Sequence, residues 1–169
     1  MQQQVGLGGS CHWCTEAIFS ALKGVVKVEQ GWFKTTEQGS QFSEAIRLYF
    51  DPEKISLIDL IAIHIDTHSA TSTHSMRNKY RSAIYVYSDE QYDAALQGLN
   101  LKQADYLAPL ITQVFSAGEF KHSPSQYQNY YFSNPNKPFC EVRINPKLAM
   151  LLARYRDNVD YSKLAHLSQ

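Results

Sequence analysis

Apolar and polar positions along this 169-residue chain switch repeatedly between a two-residue and a 3.6-residue period, which predicts alternating strands and helices. The clearest two-residue period is Glu44-Ala45-Ile46-Arg47-Leu48-Tyr49-Phe50, which puts Glu44, Ile46, Leu48 and Phe50 on one face and Ala45, Arg47 and Tyr49 on the other. Before it, residues 3–8 read as a strand, 12–22 as a helix closed by Gly24, 25–32 as a strand and 33–41 as a polar loop. After it, Ser56 and Asp59 form a capping box for a helix carrying Leu57, Leu60, Ile61, His64, Ile65 and His68. A Ser/Thr-rich loop runs from 69 to 79, followed by a strand over 80–87, a helix from 88 to about 100 and a short strand over 110–115. One or two helical turns fit 124–131, a turn-rich loop over 134–138 carries Cys140, and an amphipathic helix fits 146–155. No repeat or linker interrupts the pattern, so residues 1–157 read as one domain and 158–169 as a loosely held tail. This mixture predicts an α+β sandwich with helices on one side of a mostly antiparallel sheet.

Composition narrows the function classes. Sixteen basic and sixteen acidic residues cancel, which points away from nucleic acid and anionic membranes as partners. Three cysteines are too few for a disulfide scaffold and fit reactive thiols in a reducing compartment. Met1-Gln2-Gln3-Gln4 has no basic segment leading into an apolar one, and no apolar run reaches membrane-spanning length. A cytoplasmic protein is the expectation.

Candidate chemistry concentrates at Gly8-Gly9-Ser10-Cys11-His12-Trp13-Cys14. The pattern puts Cys11 in the first turn of a helix, where free N–H groups and the helix dipole favour a thiolate. Against this stands a buried structural cysteine after a strand-to-helix turn, and the residues alone leave both readings open. Glu44 opens an apolar strand face, where desolvation would keep a proton on it, and Tyr80 offers a phenol at a strand start. Trp13, Trp32 and Phe33 are either core or an aromatic wall able to hold an S-methyl group. His64, His68 and His74 could approach a metal, but no carboxylate or cysteine pair accompanies them, so core or surface histidines are the reading taken. Oxidation of a low-pKa thiol to a sulfenic acid calls for a second thiol, either Cys14 nearby or Cys140 on a loop able to swing in.

Taken together these residues resemble the A-type peptide methionine sulfoxide reductases. Gly8 to Ala17 is similar to the family's Gly-Gly-Gly-Cys-Phe-Trp-Cys-x-Glu-Ala, and Lys23-Gly24-Val25 and Gly31-Trp32 to its Lys-Gly-Val and Gly-Tyr. Glu44-Ala45-Ile46-Arg47 with Phe50-Asp51-Pro52 resembles the strand holding its acidic residue. Tyr80 to Tyr85 matches Tyr-Arg-Ser-Ala-Ile-Tyr, and Asn134 to Cys140 matches Asn-Pro-x-x-Pro-Tyr-Cys. The resemblance implies a two-layer sandwich with a ferredoxin-like plait core and long wrapping loops. It implies thiol-dependent reduction of methionine S-sulfoxide, free or in proteins, with recycling by thioredoxin. Cys11 would be the nucleophile, Glu44 the proton donor, Tyr80 the hydrogen-bond donor to the sulfoxide oxygen and Cys140 or Cys14 the resolving thiol. Trp13, His12 and Trp32 would line the substrate pocket. No cofactor or metal is called for, and a monomer is expected.

The chain departs from this pattern in several places. His12 replaces the family's Phe, the loops before Glu44 and Tyr80 are shorter, and Ser75, with Arg77 close by, stands where an acidic residue is expected. The family's Glu-x-x-His-Gln reads Pro124-Ser125-Gln126-Tyr127-Gln128. Two alternatives to a working reductase therefore stand: a general thiol–disulfide oxidoreductase using Cys11 and Cys14, and a non-catalytic binder of oxidised methionine.

Overall fold

The computed structural model describes residues 1–134 and 136–164. The strands are β1 (Gln3–Gly8), β2 (Val25–Thr35), β3 (Ser43–Phe50), β4 (Ala83–Val86) and β5 (Gln113–His122). The helices are α1 (His12–Ser20), α2 (Leu57–Asp66), α3 (Asp89–Gln103), the single turn α4 (Tyr130–Ser133) and α5 (Asn145–Arg154). Local chemistry explains several boundaries. Ser56 accepts the N–H of Asp59 to start α2, and Ser88 accepts that of Gln91 to start α3.

The mixture of helices and strands is the expected α+β class, but the sheet closes on itself where a two-layer sandwich with a ferredoxin-like plait core was expected. β1 pairs antiparallel with β3 and with β4, and β3 pairs antiparallel with β2. β5 then pairs antiparallel with β2 and parallel with β4, joining the two free edges into a closed barrel, β1-β3-β2-β5-β4. The sequence pattern stopped β5 at 115 and β2 at 32. Both strands run further, β2 to Thr35 and β5 to His122, and the extra length makes their pairing possible.

Closure divides the apolar residues between two cores. Phe33, Ala45, Ala83 and Tyr85 fill the barrel interior, with Phe115 and Phe120 packed against them. Phe33 and Tyr85 stack with ring centres 4.5 Å apart. Gly6 makes room for that stack, since a Cβ on it would lie 2.5 Å from the Phe33 ring. Its neighbours Val5 and Leu7 point the other way, into the larger core with Ile46, Leu48, Phe50 and the apolar faces of the helices. Each such fully buried aliphatic or aromatic side chain contributes roughly 1.5–3 kcal/mol. The alternation read in β3 is thus a partition between barrel interior and helical layer.

The segment expected to be loose is held at its start. Leu22 bridges Val159, Asn158 accepts the N–H of Lys23, and Val159 and Leu164 are buried. Residues 165–169 of that tail lie outside the described residues. No helix among the described residues is long and apolar enough to cross a membrane.

Candidate active site

The chain leaves β1 through Gly9, whose φ of +150° suits glycine, and enters α1 with Cys11 at its N-cap. Cys11 O accepts the N–H groups of Cys14 at 3.0 Å and Thr15 at 3.2 Å, which closes the first turn. The Cys11 thiol lies below its ordinary pKa. The largest cause is the Cys14 S–H donated to it, reinforced by the backbone N–H groups of Trp13 and Cys14 and opposed by burial and by the charge of Glu44. Cys14 is pushed up by the same hydrogen bond and by burial. The Cys11 thiol is thus lowered chiefly by its neighbouring thiol, with the N–H groups of the helix start adding to it.

The loop beneath this turn is braced by the histidines. His64 Nε2 lies 2.7 Å from Gly8 O, so that nitrogen carries the proton, and burial pushes the ring down to about 4. His68 reaches Ser82 Oγ at 2.7 Å and occupies the space a side chain on Gly9 would need. His74 caps the turn at Met76. These roles account for the histidines, and among the described residues no three His, Cys, Asp or Glu side chains group to hold a metal. Arg77 donates to Gly9 O and Tyr80 O at 2.7 and 2.8 Å and ties the 69–80 loop to the same turn.

Glu44 is 6 % exposed and does lie beside Cys11, but donors surround its carboxyl. Oε1 accepts the backbone N–H of His12 at 3.2 Å and lies 3.5 Å from His12 Nε2. Oε2 is 3.6 Å from Lys79 Nζ. The expectation of an apolar setting is corrected accordingly: Ile46, Leu48 and Phe50 share its strand face, but a helix start and a lysine meet the carboxyl itself. Tyr80 is half-buried and shares with Cys11 and Cys14 an open cavity of about 870 Å³, lined also by Met76, Phe139 and Lys147.

Trp13 is not a bare wall. Tyr130 stacks on it at 4.1 Å and 11°, Tyr127 lies further out at 5.7 Å and 30°, and Phe139 meets it edge-on at 5.3 Å. Its indole N–H is buried without a partner among the described residues. Trp32 lies edge-on to His12 at 5.1 Å. The strap that carries Tyr127 and Tyr130 is fastened by Glu16, which accepts the N–H groups of Asn129 and Tyr130 and an amide N–H of Gln30. Gln30 and Gln128 add a reciprocal pair of hydrogen bonds. Nothing in the sequence pattern assigns a role to Glu16 or Gln128. An acidic residue on the inner side of a short helix was the available signal.

Cys140 differs from its expectation. It lies in a wide helical turn, Cys140–Ile144, that runs into α5, and it is 0 % exposed with its thiol pushed up by burial. A turn does precede it at Asn136 and Lys137, but Cys140 itself stands in a helical turn with its thiol in the core.

The sequence model of the family described as peptide methionine sulfoxide reductase matches residues 3–159. A peptide methionine sulfoxide reductase MsrA of Deinococcus radiodurans is 33% identical over 174 residues, covering 94% of this chain and 84% of that protein. Among solved structures, Mxr1 from Saccharomyces cerevisiae in reduced form superposes with a TM-score of 0.71 at 19% identity, covering 82% of this chain and 89% of that one. The same yeast protein in complex with Trx2 superposes at 0.60 and 18% identity, covering 76% and 84%.

Proposed function

The chain belongs to the peptide methionine sulfoxide reductase family, and we propose that it reduces methionine S-sulfoxide, free or in proteins, with a thioredoxin-like dithiol as the final reductant. The observation that carries this reading is the lowered Cys11 thiol at a helix start, with Glu44 beside it and Tyr80 on the same cavity. The Cys11 thiolate attacks the sulfoxide sulfur. Its oxygen passes to Cys11 and takes a proton from Glu44, with the Tyr80 phenol donating to it, so methionine leaves and Cys11 becomes a sulfenic acid. Cys11 is oxidised by two electrons and the substrate sulfur is reduced by two.

Cys14 is the resolving thiol we favour, because it lines the same cavity as Cys11 and interacts with its sulfur, whereas Cys140 lines no part of that cavity. Cys14 displaces the hydroxyl as water and leaves a Cys11–Cys14 disulfide, which an external dithiol reopens by exchange. Three free thiols and zero net charge support a cytoplasmic setting, and no second subunit is needed to complete the site, which supports a monomer. The experiment is turnover of both epimers of a methionine sulfoxide peptide with dithiothreitol. Consumption of the S epimer alone, lost in Cys11→Ser, supports the reading, and consumption of neither rejects it.

The Cys11–Cys14 hydrogen bond also favours general thiol–disulfide exchange. That activity needs no proton donor, so a Glu44→Gln protein would retain it while losing sulfoxide reduction.

A further inference from the structure

His12 stands where the family has phenylalanine, and each of its ring nitrogens faces an oxygen. Nδ1 lies 2.9 Å from Gly31 O. A carbonyl oxygen only accepts, so Nδ1 carries the hydrogen. In the neutral ring this leaves a lone pair on Nε2, 3.5 Å from Glu44 Oε1. The same carboxyl oxygen accepts the backbone N–H of His12 at 3.2 Å, so two nitrogens of one residue face one oxygen of Glu44. The imidazole is 6 % exposed, and Trp32 holds it edge-on at 5.1 Å. A phenylalanine would offer the same apolar bulk and nothing to the carboxyl.

We propose that His12 is a positioning residue for proton delivery: Glu44 and His12 Nε2 share one proton, and Glu44 passes it to the departing sulfoxide oxygen. The proposal rests on the sulfoxide reductase reading above. In the step, the proton leaves Nε2 for the carboxylate, and the carboxyl O–H breaks as an O–H bond forms on the sulfoxide oxygen. The substrate S–O bond gives way to an S–O bond on Cys11, leaving a carboxylate and a neutral Nδ1–H imidazole. Water then restores the shared proton. The other ionisable groups around this pair are Cys11 at the start of α1, Lys79 on the loop before β4 with Tyr80 against it, and Lys121 of β5 over the Trp32 ring.

The test uses single-turnover reduction of a methionine sulfoxide peptide across the neutral pH range in the parent, His12→Phe and His12→Asn proteins. We expect His12→Phe to lower the rate at saturating substrate about 10- to 100-fold, within the range of general acid catalysis, with KM little changed and one limb of the pH profile lost. His12→Asn keeps a donor for Gly31 O, and we expect it not to recover the rate. A parent-like rate and pH profile in either variant overturns the proposal, as does a loss confined to KM, which would make His12 a wall of the substrate pocket. A parent protein inert towards sulfoxide rejects the function itself. Nitrogen-15 spectra of the His12 ring test the geometry without turnover. A neutral Nδ1–H tautomer or a doubly protonated ring agrees with the shared proton, and a neutral Nε2–H tautomer refutes it.

Discussion

Cys11 and Cys140 both stand near the start of a helical segment, and the two segments treat their thiols in opposite ways. Around Cys11 the chain supplies donors: the Cys14 S–H and two backbone N–H groups outweigh burial and the Glu44 charge, and the thiol is lowered. Around Cys140 burial dominates, Lys137 opposes it only in part, and the thiol is raised. Helical position alone therefore does not activate a cysteine. What matters is which groups donate to sulfur and whether a cavity reaches it, and only Cys11 has both.

The sharpest way to break this contrast is to remove each thiol in turn. Cys11→Ser should abolish sulfoxide reduction altogether. Cys140→Ser should leave the first, stoichiometric turnover at the parent rate, because a buried thiol outside the cavity takes no part in it. Quench-flow measurement of methionine formed per protein checks both, and a Cys140→Ser protein without a first turnover would show that the two thiols are not as different as their surroundings.

Next in size is Glu44→Gln, which keeps shape and cannot deliver a proton. The loss should be about 100- to 10,000-fold in sulfoxide reduction. Alkylation of Cys11 should not slow in this variant, because the Glu44 charge opposes the thiolate. Unchanged reductase activity would falsify the donor role.

A smaller effect is expected from Cys14→Ala. It deletes the largest cause of the lowered Cys11 thiol, so the midpoint of Cys11 alkylation should move to higher pH and alkylation at neutral pH should slow several-fold. If the alkylation profile is unmoved, the backbone N–H groups of the helix start carry the activation alone.

Much of this site was legible locally. Gly9, Cys11 and the following helix lie within a dozen residues, Ser56 announces α2 by its own side chain, and the period of β3 survives because one face meets a layer of helices. What was not legible depends on distant partners. No residue of β5 from Gln113 to His122 is fully buried, so its hydrophobic period is weak. It is held by the backbone edges of β2 and β4, which no local pattern reveals. Cys140 follows Asn, Pro and Lys residues that read as a turn, and its burial comes partly from α1, at the other end of the chain. The strap over Trp13 was hidden for the same reason, since its fastener is on α1 and its rings follow more than a hundred residues later.

That strap yields the smallest predicted effect. Glu16 is buried, and burial pushes its carboxyl above the ordinary value of 4.5 although three N–H donors face it. A carboxyl raised in the folded state binds more protons folded than unfolded across the window that begins near 4.5 and extends upward, so stability falls as pH rises through that window. Overall stability should thus be greatest in mild acid. Glu16→Gln removes the titration and turns one acceptor into a donor facing backbone N–H groups, which should cost about 1–3 kcal/mol. Urea unfolding of the parent and of Glu16→Gln at several pH values checks this: the parent should lose stability above the carboxylate range, and the variant should be weaker and flatter. Because Tyr130 rides on the bonds to Glu16 and stacks on Trp13, Trp13 fluorescence should change with the same pH dependence in the parent only. A parent whose stability rises with pH through that window would mean that the three N–H donors outweigh burial at Glu16, as the donors to Cys11 do.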